Sequence, residues 1–184
     1  MTFTRLETPR LILRRLTIND LEPFVTYRSL PEVARFQTWE AFDTAQGKAL
    51  IEHMQQREPG TPGEWFQFAI EHRDSGVLVG DCAFKVDGTE HRQAEIGFTL
   101  APAHQGQGFA TESVRGLLGY AFETLNLHRV MANCDARNTP SARVLERVGM
   151  RREAHHLEDF WCKGEWTSSF IYAILAREWL LKSF

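Results

Sequence analysis

Cysteine is scarce in this chain: Cys82, Cys134 and Cys162 are its only ones. Their odd number and wide scatter exclude a disulfide framework and give no metal-ligand spacing, so no metal is expected. Cys82 and Cys134 fall in predicted strands and read as core residues. No stretch approaches the run of about twenty apolar residues that a bilayer-crossing helix needs. The opening Met1-Thr2-Phe3-Thr4-Arg5 lacks the apolar centre of a secretory leader. A cytoplasmic location follows as the default expectation. No basic stripe occurs and the formal net charge is −3, which argues against nucleic acid as a partner. Repeats, low-complexity tracts and interdomain linkers are also missing. Residues 1–184 are therefore expected to form a single domain.

Apolar residues are plentiful: 43% of the chain, with thirteen Phe and five Trp, supplies a sizeable core. The most informative stretch is Gln105-Gly106-Gln107-Gly108-Phe109-Ala110. It lies between a predicted strand over 95–100 and a predicted amphipathic helix over 110–125. A glycine-rich loop that opens a helix gathers unpaired N–H groups at the positive end of the helix dipole. Phosphate or pyrophosphate is the natural ligand of such a place. A P-loop would put Lys and Ser/Thr after its last glycine, and no lysine follows here. A dinucleotide-binding loop would need Gly or Ala three positions after Gly108, where Thr111 stands, and a tighter turn after its strand.

The second motif is a strand over 129–135 followed by Ala136-Arg137-Asn138-Thr139-Pro140-Ser141-Ala142-Arg143-Val144-Leu145-Glu146-Arg147-Val148-Gly149. Thr139 reads as an N-cap with Pro140 at the first helical position. Val144, Leu145 and Val148 form the apolar face, and Gly149 ends the helix in a left-handed cap. In the strand before the glycine loop, Ile96, Phe98 and Leu100 alternate with Glu95, Gly97 and Thr99. One face is thus expected to pack on a core while the other presents a carboxylate and a hydroxyl.

Gln105, Gly108 and Ala110 match Gln-x-x-Gly-x-Ala, and together with the Asn138 motif this resembles the GNAT N-acetyltransferases of the RimJ/RimL branch. The resemblance covers essentially the whole chain and implies an α/β (α+β) GNAT fold. That fold is a single mixed, mostly antiparallel twisted sheet flanked by helices. Its splayed strand pair would hold the acetyl-coenzyme A arm. It assigns the pyrophosphate to Gln105, Gly106, Gln107, Gly108, Phe109, Ala110 and Thr111. Backbone groups of Phe98, Thr99 and Leu100 would bond the pantetheine and polarise the acetyl carbonyl. Asn138, Ser141 and Arg143 would complete the cofactor side, with Asn138 on the arm's amides and Ser141 near the thiol. Glu95 matches a catalytic glutamate, with Glu158 in reserve as base. The tyrosine that many members use as acid is replaced by Leu145, so Ser141 either protonates the thiolate or only positions it.

The implied activity is acetyl transfer from acetyl-coenzyme A to a primary amine, either a protein N-terminus or a small molecule. The alternative is a non-catalytic coenzyme A-binding sensor, which would not need Glu95 or Ser141. Acceptor specificity is expected from 39–63 and from the C-terminal strands. Trp161 and Trp166 would line that pocket, or serve the core or a homodimer interface. His155 and His156, adjacent on a strand, cannot both enter one cleft. Further strands are predicted over 11–16, 65–72, 77–86, 151–161 and 167–176, with helices after Asp20 and over 44–57.

Overall fold

A computed structural model describes residues 3–181, so Met1, Thr2 and the ends of the 1–184 span lie outside the described residues. The strands are β1 Arg5–Glu7, β2 Leu11–Arg15, β3 Trp65–His72, β4 Leu78–Val86, β5 Gln93–Leu100, β6 Arg129–Asp135, β7 Arg151–Cys162 and β8 Glu165–Leu175. The helices are α1 Leu21–Arg28, α2 Pro31–Ala34, α3 Thr44–Gln55, α4 Phe109–Gly119, α5 Thr139–Arg147 and α6 Ala176–Leu180. All eight strands form one sheet in the order β1-β2-β3-β4-β5-β6-β8-β7. Every neighbouring pair is antiparallel except β5 and β6, which α4 joins by a crossover. This is the mixed, mostly antiparallel sheet expected from the resemblance.

Local chemistry explains most boundaries. The β3 and β4 hairpin closes across Arg73-Asp74-Ser75-Gly76, with Gly76 at φ 68°. Asp43 caps α3 by accepting from the Gln46 N–H at 2.8 Å, while Gln46 Oε1 accepts from the Asp43 N–H at 2.8 Å. Asn138, rather than Thr139, caps α5: its Oδ1 accepts from the Ser141 N–H at 3.2 Å, which moves Pro140 to the second helical position. Lys163 (φ 52°) and Gly164 (φ 81°) make the two-residue turn between β7 and β8.

The helix predicted over 110–125 departs from one period. It is α-helical to Gly119 and then widens into a π turn over Tyr120–Thr124, closed by Leu125 N–H to the Tyr120 carbonyl at 3.0 Å. Tyr120, Ala121 and Phe122 are all buried in succession, which one stripe of a regular α-helix does not allow. The Tyr120 hydroxyl donates to the Pro59 carbonyl at 3.2 Å, tying the turn to the loop after α3.

Helices cover both faces of the sheet. Phe68 and Ile70 join α4 residues Val114, Leu117 and Leu118 in the larger core cluster. Ala69, between them on the strand, joins Phe24, Tyr27 and Ile51 from α1 and α3 in the second. Cys82 is wholly buried as expected, whereas Cys134 is only half-buried because it borders a cavity.

Gly80, opposite Leu100 in the β4 and β5 ladder, has no room for a side chain. A Cβ there would lie 2.3 Å from the Thr99 carbonyl oxygen and 2.7 Å from Leu100 Cδ2. Gly80→Ala should destabilise the protein by about 1–3 kcal/mol through this overpacking. Urea unfolding measures the effect, and an unchanged midpoint would mean that β5 yields freely.

Candidate active site

The ladder between β5 and β6 contains three registered pairs: Gln93 with Arg129, Ala94 with Val130, and Glu95 with Met131. It stops there, although β5 continues to Leu100 and β6 to Asp135. Each strand keeps its outer partner beyond this point: β5 stays paired with β4 as far as Leu100 opposite Gly80, and β6 with β8 as far as Asp135 opposite Ser169. The two inner edges therefore separate and leave backbone groups facing a gap. Unpaired backbone N–H and C=O groups need a partner, and an extended amide-bearing ligand supplies one.

Two cavities of about 340 Å³ each flank the gap and share Phe36 and Gln37 in their walls. The first collects Phe98, Thr99 and Leu100 from β5; Gln105, Gly106, Gly108, Phe109, Ala110 and Thr111 from the glycine loop and α4; and Asn138 and Ser141 from the start of α5. Gly106 (φ 75°) and Gly108 (φ 83°) are left-handed, and Gly108 is the N-cap of α4 with no side chain capping the helix. The first N–H groups of α4 are thus open to an anion. Asn138 Nδ2 and the Ser141 hydroxyl have no protein partner among the described residues.

Three details of this wall differ from the sequence expectation. Gln107 does not line the cavity: its side chain donates to the Ala103 carbonyl at 3.2 Å and its carbonyl accepts from Arg10 Nη1 at 3.0 Å. Arg143 is exposed and outside the lining, because Pro140, Ser141, Val144 and Arg147 form the helical stripe that faces the cavity. Arg147, also exposed, lies on that stripe. The Leu100 carbonyl is not free either, since Gln105 Nε2 donates to it at 3.1 Å and so pins the loop to the end of β5.

Thr8, Arg10 and Glu112 brace the loop from behind. Glu112, in the first turn of α4, accepts from the Thr8 hydroxyl at 2.6 Å, the Arg10 N–H at 2.7 Å and Arg10 Nε at 2.7 Å. Burial pushes its carboxyl up, but these bonds outweigh burial and hold it below the usual glutamate range. Arg10 also lies over the Phe109 ring at 4.7 Å. A wider groove of about 880 Å³ runs along this brace and shares Gly108 and Thr111 with the first cavity.

The second cavity begins where the ladder stops. Glu95 and Gly97 form its wall on β5, with residues 133–135 on β6 and residues 35–38 after α2. Glu95 is half-buried and makes no hydrogen bond or ion pair among the described residues. Burial raises its carboxyl above the ordinary value, against the opposing charge of Lys85 across the ladder. Glu158, the reserve base, is exposed at a register irregularity of β7 with φ 48° and lines neither cavity. His155 packs edge-on against Phe170, and His156 approaches Asp159 at 3.5 Å. Trp161 and Trp166 are each 56% exposed, meet edge-to-face and line neither cavity.

Residues 35–38 were not found by sequence reasoning, which placed specificity at 39–63. Gln37 Nε2 donates to Thr99 Oγ1 at 3.2 Å, so this segment reaches β5 directly. Only the run Arg35-Phe36-Gln37-Thr38, polar and without periodicity, hinted at a loop with work other than packing.

A family model for the GNAT acetyltransferase domain matches residues 10–151. The chain belongs to the GNAT acetyltransferase family. It is 33% identical over 172 residues to the N-acetyltransferase YnaD of Bacillus subtilis, covering 94% of this chain and 97% of that one. It is also 33% identical over 93 residues to the spermidine N(1)-acetyltransferase of Vibrio cholerae, covering 50% and 54% respectively. Among solved structures, a GNAT-family acetyltransferase from Bacillus anthracis aligns with TM-score 0.85 at 28% identity, over 95% of this chain and 99% of that one. The protein is thus an N-acetyltransferase with the GNAT fold, in a family whose acyl donor is acetyl-coenzyme A.

The brace behind the loop gives a test independent of catalysis. Glu112 has a lowered folded-state pKa, so its contribution is present above the ordinary glutamate value and disappears as pH falls through the folded one. Glu112→Gln should cost about 1–2 kcal/mol near neutral pH. That deficit should vanish under acid conditions where both proteins carry a neutral group. Urea unfolding across the acid range measures it, and a deficit independent of pH would assign the loss to packing.

Proposed function

We propose that the chain transfers the acetyl group of acetyl-coenzyme A to a primary amine, with Glu95 as general base and Ser141 beside the departing sulfur. The observation that carries this reading is the end of the β5 and β6 ladder at Glu95. It leaves one gap between a wall suited to a phosphate-bearing arm and a cavity holding a carboxylate of raised pKa. The described residues form one continuous sheet, in keeping with a single catalytic domain.

In this reading the open N–H groups of α4 hold the pyrophosphate. The arm runs along the inner edge of β5 towards Asn138 Nδ2, and the thioester reaches the gap. The acceptor amine enters from the second cavity. Its nitrogen attacks the carbonyl carbon, the C–N bond forms, and the C–S electron pair leaves on sulfur. The proton lost by the amine passes to Glu95, directly or through a water. A half-buried carboxylate with a raised pKa is a better base than an exposed one. Backbone N–H groups at the gap would stabilise the developing oxyanion. Leu145, where many family members have an acidic tyrosine, is 1% exposed and packed in the core. The unpartnered Ser141 hydroxyl is the group left to meet the thiolate. A non-catalytic coenzyme A sensor would need the first cavity but has no use for a desolvated carboxylate in the second.

Glu95→Gln should lower kcat by about 10²- to 10⁴-fold while leaving acetyl-coenzyme A affinity unchanged. The parent's rate should rise with pH through the raised Glu95 pKa, and that step should be missing in the variant. The deficit should shrink at high pH, where free amine is abundant. Steady-state rates of thiol release decide the matter: a variant as fast as the parent at neutral pH would remove Glu95 as the base.

Ser141→Ala separates two roles. A hydroxyl that positions the sulfur should give a moderate rate loss with a small affinity loss, about 0.5–1.5 kcal/mol for one hydrogen bond. A fall of several orders of magnitude at saturation with unchanged binding would instead make Ser141 the acid. Calorimetric affinity and saturating rates together distinguish these outcomes.

A further inference from the structure

The charges around the second cavity bear on what the amine must carry with it. Three carboxylates line it, and two are already engaged. Asp135 receives Arg137 Nη2 at 2.7 Å and Arg137 Nε at 3.0 Å, and Glu165 receives Arg137 Nη1 at 2.8 Å. Glu95 alone has no such partner. The cations are arranged differently. Arg137 is neutralised by those two carboxylates, but Arg35 and Lys163 have no carboxylate within ion-pair distance among the described residues. Arg35 lies over the Phe36 ring at 4.9 Å and contributes to keeping the Asp135 carboxyl low. Lys163 Nζ donates to the Ala34 carbonyl at 2.6 Å, a bond that leaves its charge uncompensated.

The cavity therefore offers one carboxylate without an ion pair, next to the reaction gap, and two cations without one, on the segment after α2 and on the turn between β7 and β8. A polyamine would place its second ammonium near Arg35 and Lys163, where like charges repel it. An anionic group there would be attracted. The walls also meet: Lys163 Nζ bonds Ala34, and Cys162 Sγ lies 3.8 Å from the Gln37 carbonyl. These contacts join the turn between β7 and β8 to the segment after α2. The remaining space, about 340 Å³, is at the small end of ligand pockets.

Resting on the acetyltransferase reading above, we propose that the acceptor is a small primary amine bearing a carboxylate. Its amine faces Glu95 and its carboxylate faces Arg35 and Lys163. Arg35 and Lys163 are then specificity-determining residues, and the free amino acid is the simplest member of the substrate class.

The test is a thiol-release assay with acetyl-coenzyme A and matched acceptors: amino acids, the amines left when each loses its carboxyl group, spermidine, and a short peptide amide with a free N-terminus. At least one amino acid should exceed its decarboxylated partner by about tenfold or more in kcat/KM, as expected for a charge-assisted contact. Arg35→Gln should draw that ratio towards one, mainly by raising KM for the amino acid. Lys163→Met is the second variant, with its melting temperature recorded because it also removes the bond to Ala34. Preference for spermidine, for the peptide amide or for the decarboxylated amines would overturn the proposal while leaving acetyl transfer to amines standing. A ratio unmoved by either folded variant would overturn it as well. No thiol release with any acceptor, despite acetyl-coenzyme A binding, would overturn the acetyltransferase reading and this proposal with it.

Discussion

The structure depends on a hydrogen-bonded ladder that begins and is then abandoned. β5 and β6 are held together by three residue pairs and part after Glu95 and Met131. An unpaired backbone group hidden from water costs about 1–3 kcal/mol, so an abandoned ladder is tolerated only where water or a ligand completes it. The parallel arrangement makes the separation feasible. The crossover through α4 returns the chain to the same end of the sheet, and the turn after β6 leads into α5 instead of back along β5. The glycine loop and the start of α5 then stand on the same side of the gap. The uncapped N–H groups of α4, the Asn138 amide and the Ser141 hydroxyl are brought together by this topology, although they lie far apart in sequence.

Two strands held apart must each be fixed from outside. β6 is paired with β8 along its full length, and β5 with β4 up to Leu100. Gly80 lets the backbone at Thr99 and Leu100 approach closely at the point where β5 has lost its inner partner. Behind the same ladder, Asp81 is wholly buried opposite Thr99. It accepts from the Tyr27 hydroxyl and from Gln67 Nε2, and faces the Arg28 guanidinium at 3.4 Å. Arg28 itself is enclosed by the rings of Phe24, Trp39 and Phe42. Burial pushes the Asp81 carboxyl up, while Arg28 and the two hydrogen bonds oppose it. A buried pair of this kind contributes little net stability, but losing one partner strands the other. Its position ties α1 to β4, the strand that holds β5 from outside.

The legible parts of the molecule were those governed by local periodicity or by one residue's special geometry. β3 and β6 have the predicted bounds, because Gly76 and the alternation of apolar residues mark them. The geometry of the glycine loop was readable because left-handed glycines and an uncapped helix start are local properties of Gly106 and Gly108. Glu95 was readable because alternation places it opposite Ile96. The π turn at Tyr120 was not, since it answers to tertiary packing against Phe3, Phe68 and Phe84, which no window of sequence contains. The short elements β1, α2 and α6 carry too few residues to show a period. Arg143 and Arg147 are both basic and near the motif, and only the phase of the helix separates them. Residues 35–38 became part of the site through a contact of Gln37 with Thr99, sixty-two positions away.

The two cavities also impose an order on the chemistry. Glu95 belongs to one and Ser141 to the other, with the gap between. In the proposed reaction the amine adds to the thioester carbon and the thiolate leaves from the same tetrahedral centre, so a base beside the amine and a hydroxyl beside the sulfur would serve different bonds of that centre. If both groups shared one cavity, the acceptor and the cofactor arm would compete for it. The parted strands remove that competition. In the proposed reaction each reactant would enter along its own wall, and they would meet where the ladder ends. Phe36 and Gln37 border both spaces, as β5 does with Glu95 and Gly97 on one side and Phe98 to Leu100 on the other. Gln37 fixes the segment after α2 to β5 through its hydrogen bond to Thr99, on the same strand face as Glu95 and Gly97, while Cys162 and Lys163 hold it from the turn between β7 and β8. Gln37 thus joins the strand that bears Glu95 to the segment that walls the second cavity.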